Sequence, residues 1–248
     1  MFDLFSDPVK VAQQLQIIVS EYGFATWETL YSLLLQVVFA YLIGLPLGVL
    51  LVTGEKEGIH PLPGWIMKVL NVVINLLRSV PFLILMIICL PLSKLIVGTK
   101  VGTVATIPPM VIAAAPLVAR MVESSLREVN HGVIEAAQSM GASTWQIVTK
   151  VLLPEALPSL ISGGTITVGT ILGYGAMAGI IGGGGLGKLA INYCYYNFKF
   201  IVMWAAVIGL ILLVQIFQSV GTKLATACDK RLKNPFKSTV FPSSFATD

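Results

Sequence analysis

Five stretches of this chain contain no Asp, Glu, Lys or Arg: 29–54, 79–93, 101–119, 156–187 and 200–222. Most approach the roughly 20 apolar residues that a helix needs to cross a bilayer. Hydrophobic residues make up 56% of the 248 and charged residues 11%, against about one quarter charged in soluble domains. The chain is therefore expected to be an all-α, polytopic membrane protein with about five crossings, at 27–52, 66–97, 103–125, 159–181 and 200–222. The second uncharged stretch is short alone, but 68–94 holds only Arg78 between its end lysines, so a helix with Arg78 near one interface suffices. Before it, Lys68, Asn71, Asn75 and Arg78 recur at steps of three and four, which gives 65–78 one polar stripe.

Five crossings put the termini on opposite sides, and basic residues in the connections choose the orientation. With the N-terminus outside, the cytoplasmic side carries Lys56, Lys68, Arg78, Arg120, Arg127, Lys150, Lys223, Lys230, Arg231, Lys233 and Lys237, while Lys10, Lys94, Lys100, Lys188 and Lys199 lie outside. The net charge of +4 thus reads as orientation signal and lipid headgroup contact. It is not gathered into a patch fit for nucleic acid. Residues 1–25 place Asp3 and Asp7 before any base, unlike a signal peptide, and are expected to form a retained external amphipathic segment. Cys89, Cys194 and Cys228 fall in different compartments and imply no disulfide framework. His60 and His131 have no companion ligands, so no metal site is expected.

The connection at 124–155 is amphipathic, charged and too polar to span. A helix from about 133 to 140 is expected to stop at Gly141, a residue that tolerates the left-handed conformation of a helix end. Ser143 with Gln146 three residues later fits a capping box and starts a second helix that Pro154 should break. The pattern around Ala137, Gly141 and Ile147 also fits a helix-turn-helix. Its second helix offers only Lys150, too few cations for duplex binding. The run 182–188 matches both a G-x-G-x-x-G pattern and the start of a phosphate loop, yet Leu189 stands where a magnesium-binding hydroxyl belongs and no strand precedes it. That run is read as a helix end and a flexible external turn.

The fourth crossing is rich in glycine and alanine, with Gly169 and Gly173, and Gly175 and Gly179, four residues apart, the spacing for close helix approach in lipid. Tyr174 and Met177 are the large side chains in its small-residue stretch, placed to plug a pathway. Arg78-Ser79-Val80-Pro81 puts a charge and a kinking proline in the second crossing, where Arg78 snorkels to headgroups. Acids are absent from the uncharged spans, against an ion-coupled secondary transporter, and no catalytic triad or carboxylate pair points to an enzyme.

The segment Glu135-Ala136-Ala137-Gln138-Ser139-Met140-Gly141-Ala142-Ser143, with 152–158 after it, resembles the EAA loop of ABC importer permeases. Together with 75–82, 96–99, 114–123 and 173–177, it makes residues 27–225 similar to the permeases of methionine-importing ABC transporters. The resemblance implies a type I ABC importer permease fold in a bacterial inner membrane, with residues 26–225 as the transmembrane domain and 226–248 as a cytoplasmic tail disordered at its end. It implies a second copy of the chain, two cytoplasmic ATPase subunits that hold the ATP and magnesium, and an external substrate-binding protein. Glu135, Ala136, Ala137, Ser139, Met140, Gly141, Ala142 and Ser143 are then the ATPase-coupling residues, with Glu135 meeting a partner base or capping its own helix. Alternatives are a permease of the same kind for another small substrate, an ATP-independent transporter, or a membrane scaffold.

Overall fold

The computed structural model describes residues 8–229. Within them lie a helix α1 (Pro8–Thr53), α2 (Gly64–Ser79), α3 (Phe82–Val97), α4 (Ile107–Arg127), short helices α5 (His131–Ser139), α6 (Thr144–Ile147) and α7 (Leu153–Glu155), then α8 (Leu157–Ala178), α9 (Gly185–Ile191) and α10 (Phe200–Cys228). Four helices are long and apolar enough to cross a membrane, and α2 with α3 completes a fifth span if the bent pair counts as one. Residues 230–248, which carry most of the expected tail, lie outside the described part.

Helix α1 packs most extensively against α4, and glycine makes this possible. A Cβ on Gly44 would lie 2.6 Å from Val118 Cβ and 2.8 Å from Ala115 O, and one on Gly48 would lie 2.6 Å from Val122 Cβ and 2.7 Å from Ala119 O. Two small residues one turn apart thus let the backbones meet, the packing that substitutes for hydrophobic burial in lipid. Sequence reading assigned close approach to α8 instead. Close approach is found there too: a Cβ on Gly163 would lie 2.5 Å from Met121 Cγ and one on Gly164 2.6 Å from the Tyr41 hydroxyl, while of the two pairs four residues apart only Gly179 is tightly packed, against Gly187 and Lys188, and Gly173 has open space around it.

Helix α1 is continuous over 46 residues, roughly 69 Å at the usual rise, so residues 8–25 continue the helix of the first span rather than forming a separate one, and residues 1–7 lie outside the described part. Gln14 of α1 accepts from the Ile201 N–H that opens α10, at 3.1 Å. The second crossing is not one helix. It turns by 108° between α2 and α3, because the residue before a proline is driven out of the helical region: Val80 sits extended at φ −76° and ψ 127°, and Pro81 caps α3. Helix α2 buries Met67 and Ile74 against Leu51 and Ala119 and leaves Val69, Val72 and Val73 exposed. Arg78 is exposed at its end, consistent with a headgroup contact.

Candidate functional site

The segment expected to couple to a partner forms a bent pair of helices, α5 and α6, at the end of the bundle where α1 and α4 finish, here called the near end. Gly141 takes φ +77°. Ala142 N–H donates to Ala137 O at 3.1 Å and Gly141 N–H to Gln138 O at 2.9 Å, the paired bonds that close a helix on a left-handed residue. Ser143 then opens α6: Gln146 N–H donates to its hydroxyl at 3.4 Å, and Ser143 N–H donates to Gln146 Oε1 at 2.9 Å. The corner is thus fixed by backbone geometry on one side of Ala142 and a reciprocal cap on the other.

One face of the corner anchors it. Ala137, Ile147, Val148 and Leu152 join Val122, Leu126 and Val129 in the main core, so the small size of Ala137 serves packing within this chain. The opposite face is open, with Met140 81%, Trp145 75% and Val133 45% exposed. Glu135, Ala136, Ser139, Gly141 and Ser143 are exposed beside them, and Ala142 is half-buried. Exposed apolar side chains rimmed by polar ones mark an interaction surface. Trp145 and Val133 were not singled out from sequence, although a tryptophan outside a span is the available signal. Glu135 does not cap α5: Asn130 does, accepting from Gly132 N–H at 2.9 Å, while Glu135 pairs with His131 at 3.0 Å.

Pro154 does not break the second helix of the pair. The turn before it widens into a π-helix at Val148–Leu152, which relieves the clash a proline would make with the preceding turn, and the chain passes through α7 into α8. The bent pair is therefore mechanically joined to the fourth span. At the same end Arg120 Nη2 donates to Asn71 Oδ1 at 2.7 Å and Asn75 Oδ1 at 2.9 Å, and Arg120 Nη1 donates to Glu123 at 2.7 Å. Arg127 binds both Glu123 and Glu55. The polar stripe of α2 is thus a docking strip for an α4 arginine.

Along α8 and the turn after it, Ser162, Ile166, Gly173, Met177 and Ile180 are exposed at helical spacing, a stripe this chain leaves uncovered. Met177 is 47% exposed on it. Tyr174 is not beside Met177 on that stripe. Its ring stacks on Phe82 just after the α2–α3 break, with centroids 4.3 Å apart and planes within 4°. The two residues expected to plug a pathway thus differ in surroundings, Met177 uncovered and Tyr174 stacked against α3.

At the far end the glycine-rich run is a closely packed turn. Gly102 N–H donates to Gly182 O at 2.8 Å, and Gly182 and Gly185 have φ +86° and +77°. A Cβ on Gly184 would overlap Thr103 Oγ1. Glu28, which sequence reading passed over at the edge of the first span, lies at its centre: it accepts from Thr103 Oγ1 at 2.7 Å and from Gly185 N–H at 2.8 Å. No group of residues able to hold a metal ion occurs among the described residues.

Residues 44–233 match the family described as the binding-protein-dependent transport system inner membrane component. The chain is 50% identical over 208 residues, 84% of its length and 92% of the relative's, to the probable D-methionine transport system permease protein MetI of Vibrio cholerae. It is 47% identical over 164 residues, 66% of its length and 74% of the relative's, to the methionine import system permease protein MetP of Bacillus subtilis. A solved inward-facing conformation of the MetNI methionine ABC transporter superposes with a TM-score of 0.82 at 40% identity, over 84% of this chain and 96% of that one.

Proposed function

Because the chain belongs to the family of binding-protein-dependent transport system inner membrane components, we propose that it carries methionine, in the D or L form, or a related amino acid, across a bacterial inner membrane by ATP-driven alternating access. The near end faces the cytoplasm in this reading, with the N-terminus outside. Two copies of the chain assemble with two ATPase subunits, which hold the ATP and magnesium, and an external binding protein delivers the substrate. The bent pair at 131–155 is the coupling element. The open face with Met140 and Trp145 docks on the ATPase, and the short run through α7, which meets α8 across the single residue Ala156, carries its movement to the pathway helix. The uncovered stripe of α8 faces the second copy, and Met177 plugs the pathway between them. Its flexible, polarizable thioether suits a contact that must open and close against a thioether substrate.

The rigid corner with one anchored and one exposed face is the observation that carries this reading. The test is uptake of radiolabelled L-methionine by the chain co-reconstituted with its ATPase and binding protein. Gly141→Val, which forces a β-branched residue into φ +77°, and Glu135→Lys are expected to lower coupled uptake roughly tenfold or more, a loss of about 1.4 kcal/mol of coupling. Unlabelled D- and L-methionine should compete. Undiminished uptake in both variants, or ATP hydrolysis by the isolated permease, would overturn the proposal.

A further inference from the structure

We propose that Glu28 is a positioning residue that holds the Met177 plug shut from the far end, an inference that rests on the plug reading above. The connection runs through α9. Glu28 accepts from Gly185 N–H at 2.8 Å, and its neighbour Thr29 accepts through Oγ1 from Leu186 N–H at 2.9 Å. One turn of α1 therefore satisfies two of the N–H groups that a helix start leaves without intrahelical partners. The other carboxylate oxygen is held by Thr103 Oγ1 at 2.7 Å, so the segment entering α4 joins the same clasp.

Helix α9 in turn forms the bed of α8. A Cβ on Gly187 would lie 2.5 Å from Ala176 Cα, and one on Gly179 would lie 2.6 Å from Lys188 N. Backbone thus rests on backbone on both sides of Met177, at Ala176 and at Gly179. A shift of α9 along α1 is transmitted to this turn of α8 because no flexible side chain lies between them to absorb it. Glu28 fixes where α9 starts and so fixes the bed on which Met177 stands.

What the clasp requires is reach rather than charge. A glutamine can accept from Gly185 N–H through Oε1 and donate through Nε2 to the Thr103 hydroxyl, which can turn to accept. An aspartate keeps the charge but is one methylene too short to span Thr103 and Gly185 together. The two substitutions therefore separate positioning from any electrostatic role.

The experiment uses the complete complex of this chain and its ATPase in proteoliposomes loaded with radiolabelled L-methionine, and follows efflux without nucleotide. Glu28→Asp and Glu28→Ala are expected to raise efflux roughly tenfold, the population shift that follows loss of one well-made hydrogen bond, with Glu28→Gln restoring the seal. Met177→Ala is measured alongside. If Met177→Ala leaks while Glu28→Asp and Glu28→Ala stay sealed, the positioning role falls and the plug reading stands. If Met177→Ala does not leak, the plug reading fails and this inference falls with it. A leak in Glu28→Gln as large as in Glu28→Asp overturns the reach argument, as does a lowered melting temperature in Glu28→Asp without a leak. Should Glu28→Ala fail to assemble, the Asp and Gln pair decides.

Discussion

Single residues with local partners were the most legible. Gly141 and Ser143 announce the corner because both halves of its geometry are written within six residues, as a left-handed stop and a reciprocal cap. Glu28 could not be read the same way, since its partners lie 75 and 157 residues away and no local pattern encodes such distances. Tyr193 is a similar case at the far end. It donates to Glu21 Oε1 at 2.8 Å, and burial first, then the hydrogen bond and charge of Glu21, push its phenol from 10.0 up to about 12. A raised pKa means this contact stabilises the fold fully below pH 10 and is lost as pH rises through about 12. Thermal melting of the wild type should therefore exceed that of Tyr193→Phe by an amount constant from pH 6 to pH 9, the difference corresponding to about 1 kcal/mol. A gap that closes within that range would contradict the assignment.

At the scale of helices, the number of spans and the position of the bent pair followed from hydropathy and from punctuation by Gly, Ser and Pro. What hydropathy could not give was the angle at Val80. Pro81 marks the break, but the turn is held by distant partners, with Arg120 of α4 gripping Asn71 and Asn75 of α2 and Phe82 lying on Tyr174. The π turn before Pro154 was hidden for a related reason, since a proline stops a regular helix and sequence does not say when the preceding turn will widen instead. The α1–α4 contact yields the prediction proper to this scale. Gly48→Ala places a methyl where Val122 and the Ala119 carbonyl already sit, and overpacking of this kind costs about 1–3 kcal/mol. Gly173→Ala, with open space at that position, should be close to neutral in the isolated chain. Melting of the two variants in detergent checks the contrast, and equal effects would rule out the assigned interface.

For the molecule as a whole, the near-end ion network ties α2, α4 and the turn after α1, the same parts that the cluster of Leu51, Met67, Ile74 and Ala119 packs together. Glu123, with its side chain only 12% exposed, accepts from Arg120 at 2.7 Å and Arg127 at 2.8 Å, whereas Glu55 and Arg127 are each 46% exposed. Removing the buried acid takes a charged partner from two guanidinium groups at once, leaving Arg120 to Asn71 and Asn75 and Arg127 to Glu55, so Glu123→Ala should destabilise the protein by about 1.5–3 kcal/mol. Glu55→Ala, in a water-screened pair, should cost less than about 1 kcal/mol. Chemical denaturation compares the two, and a larger loss for Glu55→Ala would show that the network is centred elsewhere.

The unbroken length of α1 has one more consequence. The same rod carries Glu28 at the glycine-rich mouth and, two residues past its last turn, Glu55 at the opposite mouth. The helix runs on through its interior Pro46 without a break, so the two attachments share one beam, and a tilt that loosens the grip on one rim is felt at the other.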